Sequence, residues 1–261
     1  MRVIVCIKQV PATTQVGIDP QTNTLIRQGV ESIINPFDTY ALEEGVRIQE
    51  RLGGAVTVIT MGPPQAGEAL RECISLGADD AILLSDPAFA GADTLATSFT
   101  LAKAIEKLGS FDIVLCGRQT ADGDTGQVAP ELAEWLAVPI VTNVRKIHEI
   151  NHGGIRLERM TEEGYEIIEM PLPGIITVVK EINTPRLPSL RGLVKAKSAK
   201  IPIWTAQDLN LEKDAIGLAG SPTRVIKVFN PPKARRGEFI QGDVENQVVL
   251  LVSKLEESKI I

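Results

Sequence analysis

The chain alternates short, unbroken apolar runs with longer stretches in which apolar residues return every three or four positions. The runs have the length and the Val/Ile content of strands buried in a parallel sheet, and the longer stretches have the spacing of helices with one buried face. The predicted strands are 2–10, 55–60, 80–84 and 111–116. The predicted helices are one opened by residues 35–38, with Asp38 as its cap, then 65–76, 93–108 and one starting near Thr125. Regular alternation through residue 138 predicts an α/β fold with right-handed crossovers, that is, a doubly wound, mostly parallel, Rossmann-like sheet.

From Pro139 onward the period of the hydrophobic pattern changes, and short strand-like segments replace the alternation of strands and helices. Segments 155–159, 165–169 and 175–179 are expected to form antiparallel strands joined by glycine turns. We therefore predict an α/β nucleotide-binding domain over residues 1–203. Residues 204–261 are predicted to be a C-terminal extension with a strand at 223–229 and an amphipathic helix at 244–257, packed on a partner subunit or on the back of the domain. Turn residues near 19–23 predict a small hairpin.

The loop from Gly117 to Gln127 is the strongest local signal for a ligand. It follows a buried strand and precedes a helix, so free backbone N–H groups and a helix N-terminus face the sheet's carboxyl edge, as in phosphate sites. Its three glycines permit close approach of a phosphate, Arg118 supplies positive charge, and Thr125 caps the helix or donates to a phosphate oxygen. Asp122 and Asp124 are expected to point away and to cap backbone N–H groups. An ordinary strand-to-helix turn is the alternative, because the Walker and Gly-x-Gly-x-x-Gly patterns are missing.

Other polar residues are predicted to meet this loop. The strand ends at Lys8-Gln9 and Met61-Gly62 belong to the same sheet edge, which is where doubly wound proteins bind nucleotides. Thr94 and Thr97 lie one helical turn apart and share a face. One interpretation is that these hydroxyls cap the helix and lie on its surface. The other is that they form a polar patch that borders the ligand.

Composition narrows the classes of function. The chain has 261 residues, 44% of them hydrophobic and 23% charged, with a net charge of −6. No global basic bias points to nucleic acid, no apolar stretch reaches membrane-spanning length, and no signal peptide is visible. The three cysteines indicate reduced thiols in a cytoplasmic protein. With two histidines, neither a Cys/His metal site nor a Ser-His-Asp catalytic site is expected.

Residues 184–200 combine prolines, basic residues and leucines. A solvated basic segment is one interpretation. An exposed surface that docks a protein is the other, because Leu187, Leu190 and Leu193 lie among the charges.

Six stretches in order resemble the β subunits of electron-transfer flavoproteins along essentially the whole chain. They are the Val-Ile-Val-Cys-Ile-Lys-Gln-Val start, Asn35-Pro36-Phe37-Asp38, Met61-Gly62-Pro63, the loop 117–127, one signature-like stretch made of 158–166 and 172–177, and the recognition-loop-like segment 184–197.

This resemblance implies a heterodimer with an α subunit that carries FAD. The β-subunit site holds AMP in ordinary members and a second FAD in electron-bifurcating members. Asp38, residues 91–98 and residues 123–125 are more similar to the bifurcating group, so FAD is expected. The implied partners are a flavin-dependent dehydrogenase, of the acyl-CoA dehydrogenase type, and ferredoxin or flavodoxin. Oxidation of NADH is expected only from the αβ complex, since a carrier holds its flavin without acid–base machinery of its own.

The resemblance and the strand ends together assign two sets of residues. The cofactor set is Cys6, Lys8, Asn35, Phe37, Asp38, Met61, Gly62, Asp93, Thr94, Thr97, Cys116, Arg118, Gln119, Asp122, Gly123, Asp124, Thr125, Gly126, Gln127 and Val128. The partner-recognition set is Arg186, Leu187, Leu190, Arg191 and Lys195. Two other classes remain as alternatives: a stress or signalling protein that binds ATP, and an ATP-pyrophosphatase. The second is disfavoured because no Ser-Gly-Gly-x-Asp-Ser loop follows the first strand.

Overall fold

The computed structural model describes residues 1–12, 32–226 and 237–261. The chain forms two compact units, Met1–Ile226 and Lys227–Ile261. The first unit contains the whole sheet and five of the six described helices. The second contains one helix. In the described part of the chain, no helix has the length and apolar content needed to cross a bilayer.

The strands are β1 Arg2–Cys6, β2 Gln9–Pro11, β3 Ser32–Ile34, β4 Ala55–Met61, β5 Asp80–Leu84, β6 Ile113–Gly117, β7 Ile140–Asn151, β8 Gly154–Met160, β9 Tyr165–Pro171, β10 Gly174–Val178 and β11 Ile203–Trp204. The α-helices are α1 Pro36–Leu52, α2 Gly67–Ser75, α3 Thr94–Leu108, α4 Val128–Leu136, α5 Leu190–Ser198 and α6 Val244–Glu257. Single 3₁₀ turns lie at Pro64–Ala66, Pro87–Phe89, Lys180–Ile182 and Lys213–Ala215.

The main sheet has nine strands in the order β11-β5-β4-β1-β6-β10-β7-β8-β9. Strands β11 through β7 run parallel, and only the β7–β8–β9 extension is antiparallel. The predicted α/β class with a mostly parallel, doubly wound sheet is therefore confirmed. The chain winds outward from β1 through β4 and β5, then returns to place β6 on the other side of β1. This reversal makes the gap between β1 and β6 the topological switch point.

Strand β10 corrects one prediction. Residues 175–179 were expected to join an antiparallel set, but β10 runs parallel between β6 and β7. All five of its residues are buried, which fits a central strand covered on both faces. β7 was not predicted. Its twelve residues mix polar and apolar side chains, because its first part lies in the sheet centre and its second part in the exposed hairpin with β8.

Two apolar clusters fill the two faces of the sheet. Val3 and Val5 of β1 pack with α1 and α2 on one face, whereas Ile4 and Cys6 pack with α3 and α4 on the other. Alternate residues of one strand thus serve both clusters, as the pleat requires.

Several boundaries differ from expectation. Residues 190–198 form the helix α5 inside the segment expected to be a loop, with Ser189 as its N-cap. Residues 223–226 are not a strand; the remainder of that prediction, and the hairpin near 19–23, lie outside the described residues. Helix α6 has the predicted bounds, and its N-cap Asp243 accepts from the N–H of Asn246 at 2.9 Å.

Candidate functional site

The site lies at the carboxyl edge of the sheet, above the switch point. Cys6 of β1 and Cys116 of β6 are register partners in adjacent parallel strands, so the two strands end side by side. Both thiols are free and buried, and the neighbouring Cys6 thiol together with burial raises the pKa of Cys116. Buried thiols of this kind pack as small apolar groups beneath the loops that follow them.

Asn35 joins the two loops that leave these strands. It is fully buried, and its backbone N–H donates to the carbonyl of Lys8 at 2.8 Å. Its side chain donates through Nδ2 to the carbonyl of Gln119 at 2.8 Å and accepts at Oδ1 from the N–H of Ala121 at 3.0 Å. One residue therefore fixes the loop after β6, through its side chain, to the loop after β1, through its backbone. We name residues 117–127 the phosphate loop.

Asp38 lies within the first turn of α1 and does not cap it, because the helix begins at Pro36 and Asn35 occupies the N-cap position. The expectation that Asp38 caps this helix is therefore wrong. Its carboxylate instead accepts from the backbone N–H of Lys8 at 2.7 Å and from the backbone N–H of Gly117. Burial raises the pKa of Asp38 to about 7, against the opposing effect of these hydrogen bonds and of the Lys8 charge.

The two aspartates of the phosphate loop are engaged by side chains. The Nζ of Lys8 lies 2.8 Å from both carboxylate oxygens of Asp122, and Asp124 accepts from the Nε2 of Gln119. The prediction that both would cap backbone N–H groups is wrong, because Asp122 binds the ammonium group of Lys8 and Asp124 binds the side-chain amide of Gln119. Burial acts to raise the pKa of Asp122, but the Lys8 hydrogen bond and charge outweigh it and leave that pKa below its usual value.

The end of the phosphate loop leads into α4 without a side-chain cap. Asp124 and Gly126 have φ angles of 53° and 63°, so the loop twists out of the helical conformation and α4 begins at Val128, not near Thr125. Gln127 is the N-cap residue and makes no side-chain cap hydrogen bond. The first N–H groups of α4 therefore lack a side-chain cap, which is the arrangement that binds phosphate.

Arg118, at the start of the phosphate loop, lies beside the end of β10. Its N–H donates to the carbonyl of Val178 at 3.0 Å, and it lines a cavity of about 490 Å³ with Asn143, Arg159 and residues 160–162. The strand end at Met61-Gly62 is also at this edge, where the N–H of Gly62 donates to the carbonyl of Leu84 at 3.0 Å. Phe37 adjoins the end of β6, because a Cβ at Gly117 would lie 2.8 Å from its Cβ.

The start of α3 contacts the start of α4. Asp93 caps α3 by accepting from the N–H of Ala96 at 3.1 Å. Thr94 donates to one carboxylate oxygen of Glu131 at 2.9 Å, and Ser98 donates to the other at 3.3 Å. Thr97 is half-buried on the same helix. Sequence reasoning did not single out Glu131, because an acidic residue in a first helical turn is common and its partners lie on another helix.

The predicted recognition residues divide into two groups. Arg186 forms ion pairs with Glu43 and Glu50 of α1, and the Nζ of Lys195 donates to the carbonyl of Ala78 at 2.9 Å. In contrast, Leu187 and Leu190 are 88% and 84% exposed. Arg191 follows Leu190 on the exposed side of the same helix.

In the described ranges, no group of three His, Cys, Asp or Glu side chains is arranged to hold a metal ion. What the geometry offers is a phosphate loop at the switch point of a doubly wound sheet and, elsewhere, a pair of exposed leucines. A glycine-containing loop at this point of such a sheet is typical of nucleotide-binding proteins.

Comparison with known proteins gives this class a family. The electron transfer flavoprotein domain matches residues 22–209. The chain is 53% identical to the electron transfer flavoprotein subunit beta of Thermoanaerobacterium thermosaccharolyticum, over 100% of both chains. It is 51% identical to the caffeyl-CoA reductase-Etf complex subunit CarD of Acetobacterium woodii, again over 100% of both. It is 44% identical to the protein FixA of Azotobacter vinelandii, over 98% of this chain and 94% of that one. The chain belongs to the electron transfer flavoprotein β subunits.

Proposed function

We propose that this β subunit pairs with an α subunit in a cytoplasmic complex, holds FAD at its carboxyl sheet edge, and takes part in flavin-based electron bifurcation. Electrons pass from NADH to a flavin-dependent dehydrogenase of the acyl-CoA type and to a low-potential carrier, ferredoxin or flavodoxin. The bound flavin supplies the ability to accept and release electrons one or two at a time. The chain itself supplies binding and orientation.

The phosphate loop carries this proposal. The uncapped N–H groups at the start of α4 and the left-handed Gly126 suit a pyrophosphate, which needs backbone donors and room for close approach. The buried Asn35 holds that loop in one position through two hydrogen bonds. Because the loop is fixed before a ligand arrives, little ordering entropy is lost on binding.

The choice of FAD over AMP rests on the sequence of three segments, Asp38, residues 91–98 and residues 123–125, which resemble those of bifurcating members. Residues 91–98 include the start of α3, where Thr94 donates to Glu131 of α4, and residues 123–125 lie in the loop before α4. A hydroxyl and a carboxylate there suit hydrogen bonding to a flavin ring. The name of the Acetobacterium woodii relative also supports a partner that reduces a CoA thioester.

The alternative within the family is a subunit that binds AMP and only supports the flavin of the α subunit. The phosphate loop fits AMP as well, since one phosphate uses the same N–H groups. Under this alternative the β subunit changes the geometry of the complex and leaves its redox chemistry to the partner.

Cofactor analysis of the co-produced αβ complex separates the two. We expect two flavins and no AMP per heterodimer, together with NADH-dependent reduction of ferredoxin that requires an acyl-CoA dehydrogenase and its oxidised substrate. One flavin with one AMP would establish the alternative, and a complex with neither flavin nor AMP would overturn both.

A further inference from the structure

Residues 184–200, here named the docking segment, are fixed to the rest of the subunit by basic side chains. Arg186 is the centre of one attachment. Its Nε donates to Glu43 at 2.8 Å, and its two terminal nitrogens donate to the two oxygens of Glu50 at 2.6 and 2.9 Å. Its backbone N–H also donates to Glu43, at 3.1 Å. One arginine therefore holds two carboxylates of α1, in a bidentate geometry at Glu50.

The carboxylate of Glu43 is an anchor within the fold. Its side chain is 4% exposed, compared with 53% for Glu50. Burial acts to raise the pKa of Glu43, but hydrogen bonds from Arg186 and Arg47 outweigh it and leave that pKa below its usual value. The hydrogen bond from Arg186 likewise lowers the pKa of Glu50. Both carboxylates are therefore charged at neutral pH, and loss of Arg186 would leave the buried charge of Glu43 with Arg47 alone.

A second attachment holds the helical part of the docking segment. The Nη1 of Arg71 donates to the carbonyls of Ala196 and Ala199, at 2.9 and 3.0 Å. Helix α5 also lies directly on α2, because a Cβ at Gly192 would lie 3.0 Å from the carbonyl carbon of Ser75 and would overlap its oxygen. With Arg186 at one end and Arg71 at the other, both ends of the segment are fixed.

We propose that Arg186 is a positioning residue, which holds the docking segment against α1 so that Leu187 and Leu190 project in one arrangement before a partner arrives. This inference rests on the proposed function, in which the partner is a flavin-dependent dehydrogenase. Arg186 therefore acts within the subunit, because two carboxylates match its charge and that charge is not free to attract an acidic partner. Docking through the exposed leucines becomes more favourable, because a segment ordered in advance loses less conformational entropy.

The first test compares electron transfer from the αβ complex to an acyl-CoA dehydrogenase in the parent and in three variants. Arg186→Gln removes both ion pairs, and we expect its KM for the dehydrogenase to rise about tenfold, or about 1.4 kcal/mol, with kcat retained. Arg186→Lys keeps the charge but not the bidentate geometry, so its KM should lie between the KM of the parent and that of Arg186→Gln. Glu50→Gln removes only the exposed pair, and a rise of about two- to fivefold is expected.

Lys103→Gln is the matched control, because it removes one cation from an exposed pair on α3. Its KM should equal that of the parent, as should the rate at which NADH reduces a dye in every variant. An unchanged KM in Arg186→Gln, or a fall in kcat alone, would overturn the inference.

Hydrogen exchange of the αβ complex without any dehydrogenase tests the same inference independently. Amides of residues 184–198 should exchange at least tenfold faster in Arg186→Gln than in the parent, while those of β1 and α3 stay unchanged. Uniformly faster exchange would assign Arg186 a general stabilising role instead, and unchanged exchange of residues 184–198 would overturn the inference. If the parent complex does not reduce or oxidise the dehydrogenase at all, the proposed function fails, and the exchange result still decides whether Arg186 fixes the segment.

Discussion

Gly117 and Asp38 are in direct contact at the base of the site. A Cβ at Gly117 would overlap the Oδ1 of Asp38 and would lie 2.7 Å from the backbone carbon of Phe37. The last residue of β6 must therefore be glycine if the buried carboxylate is to reach the backbone N–H groups of both loops. This contact joins the end of β6 to the first turn of α1.

Replacing Gly117 with alanine tests that contact. We expect Gly117→Ala to lower the free energy of unfolding by about 1–3 kcal/mol, because the added methyl group must displace the buried Asp38 carboxyl and the backbone of Phe37. Gly67→Ala is the control, since nothing lies within 4 Å of a Cβ there and the position is helical. It should leave stability unchanged or raise it by up to about 1 kcal/mol. Equal melting temperatures for both variants would contradict the contact.

The buried carboxyl of Asp38 predicts a pH dependence of stability. Its pKa is about 7 in the folded subunit, above the value of 3.8 for an exposed aspartate, so the folded state binds more protons between those values. Stability should therefore fall as pH rises from about 4 to above 7, by a few kcal/mol at most. Asp38→Asn should flatten this part of the curve in denaturant unfolding at pH 5 and pH 8. A variant that keeps the parent's slope would show that another group causes it.

The phosphate loop predicts a loss of nucleotide in Gly126→Val. Gly126 has a φ of 63°, which a β-branched residue adopts only under strain, and a side chain there would stand beside the space proposed for the phosphates. Nucleotide content of the purified complex should fall while the fold remains. Gly109→Val is the matched control, because Gly109 also has a positive φ, of 90°, but ends α3 in open space. Nucleotide loss in both variants would point to strain alone.

The exposed leucine of the docking segment predicts a separation of stability from activity. Leu190→Ala should weaken docking to the dehydrogenase by about 1–3 kcal/mol and leave the melting temperature near that of the parent. Leu42→Ala should leave docking unchanged but lower the free energy of unfolding by about 2–5 kcal/mol, because Leu42 is 1% exposed in the core. A lowered melting temperature with normal electron transfer in Leu190→Ala would show that this leucine packs within the subunit.

The hydrogen bond between Thr94 and Glu131 predicts an effect on the flavin proposed for this site. Thr94→Val keeps the side-chain volume but removes the hydroxyl that donates to Glu131 at 2.9 Å. We expect a shifted reduction potential for one of the two flavins of the complex, with stability lowered by about 1 kcal/mol. A redox titration identical to that of the parent would limit Thr94 to joining α3 and α4.

The sequence predicted what depends on local pattern. The runs that became β1, β4 and β5, and the bounds of α6, follow from side chains that are close in sequence, so periodicity was sufficient. The turn over residues 117–127 was predicted for the same reason. Its glycines predict the turn, but Asp124 and Gly126 adopt left-handed conformations, so the helix begins only at Val128.

The contacts that fix the site could not be predicted in this way. Asn35 reaches Gln119 across 84 positions, and Arg186 reaches Glu43 across 143. An asparagine before a proline and an arginine after one look like ordinary turn residues until the fold brings their partners near. Asp38 was expected to cap α1, because a cap position and a buried carboxylate look alike in a sequence.

The position of β10 bears on how this protein is made. Its neighbours are β6 and β7, so the edge of β6 stays open during translation until residue 178 has left the ribosome. A recombinant fragment that stops near residue 138, where the regular alternation ends, would leave the unpaired N–H and C=O groups of β6 free to join other chains. β11 pairs with β5 at the opposite edge. A fragment that keeps every strand of the sheet must therefore extend past Trp204.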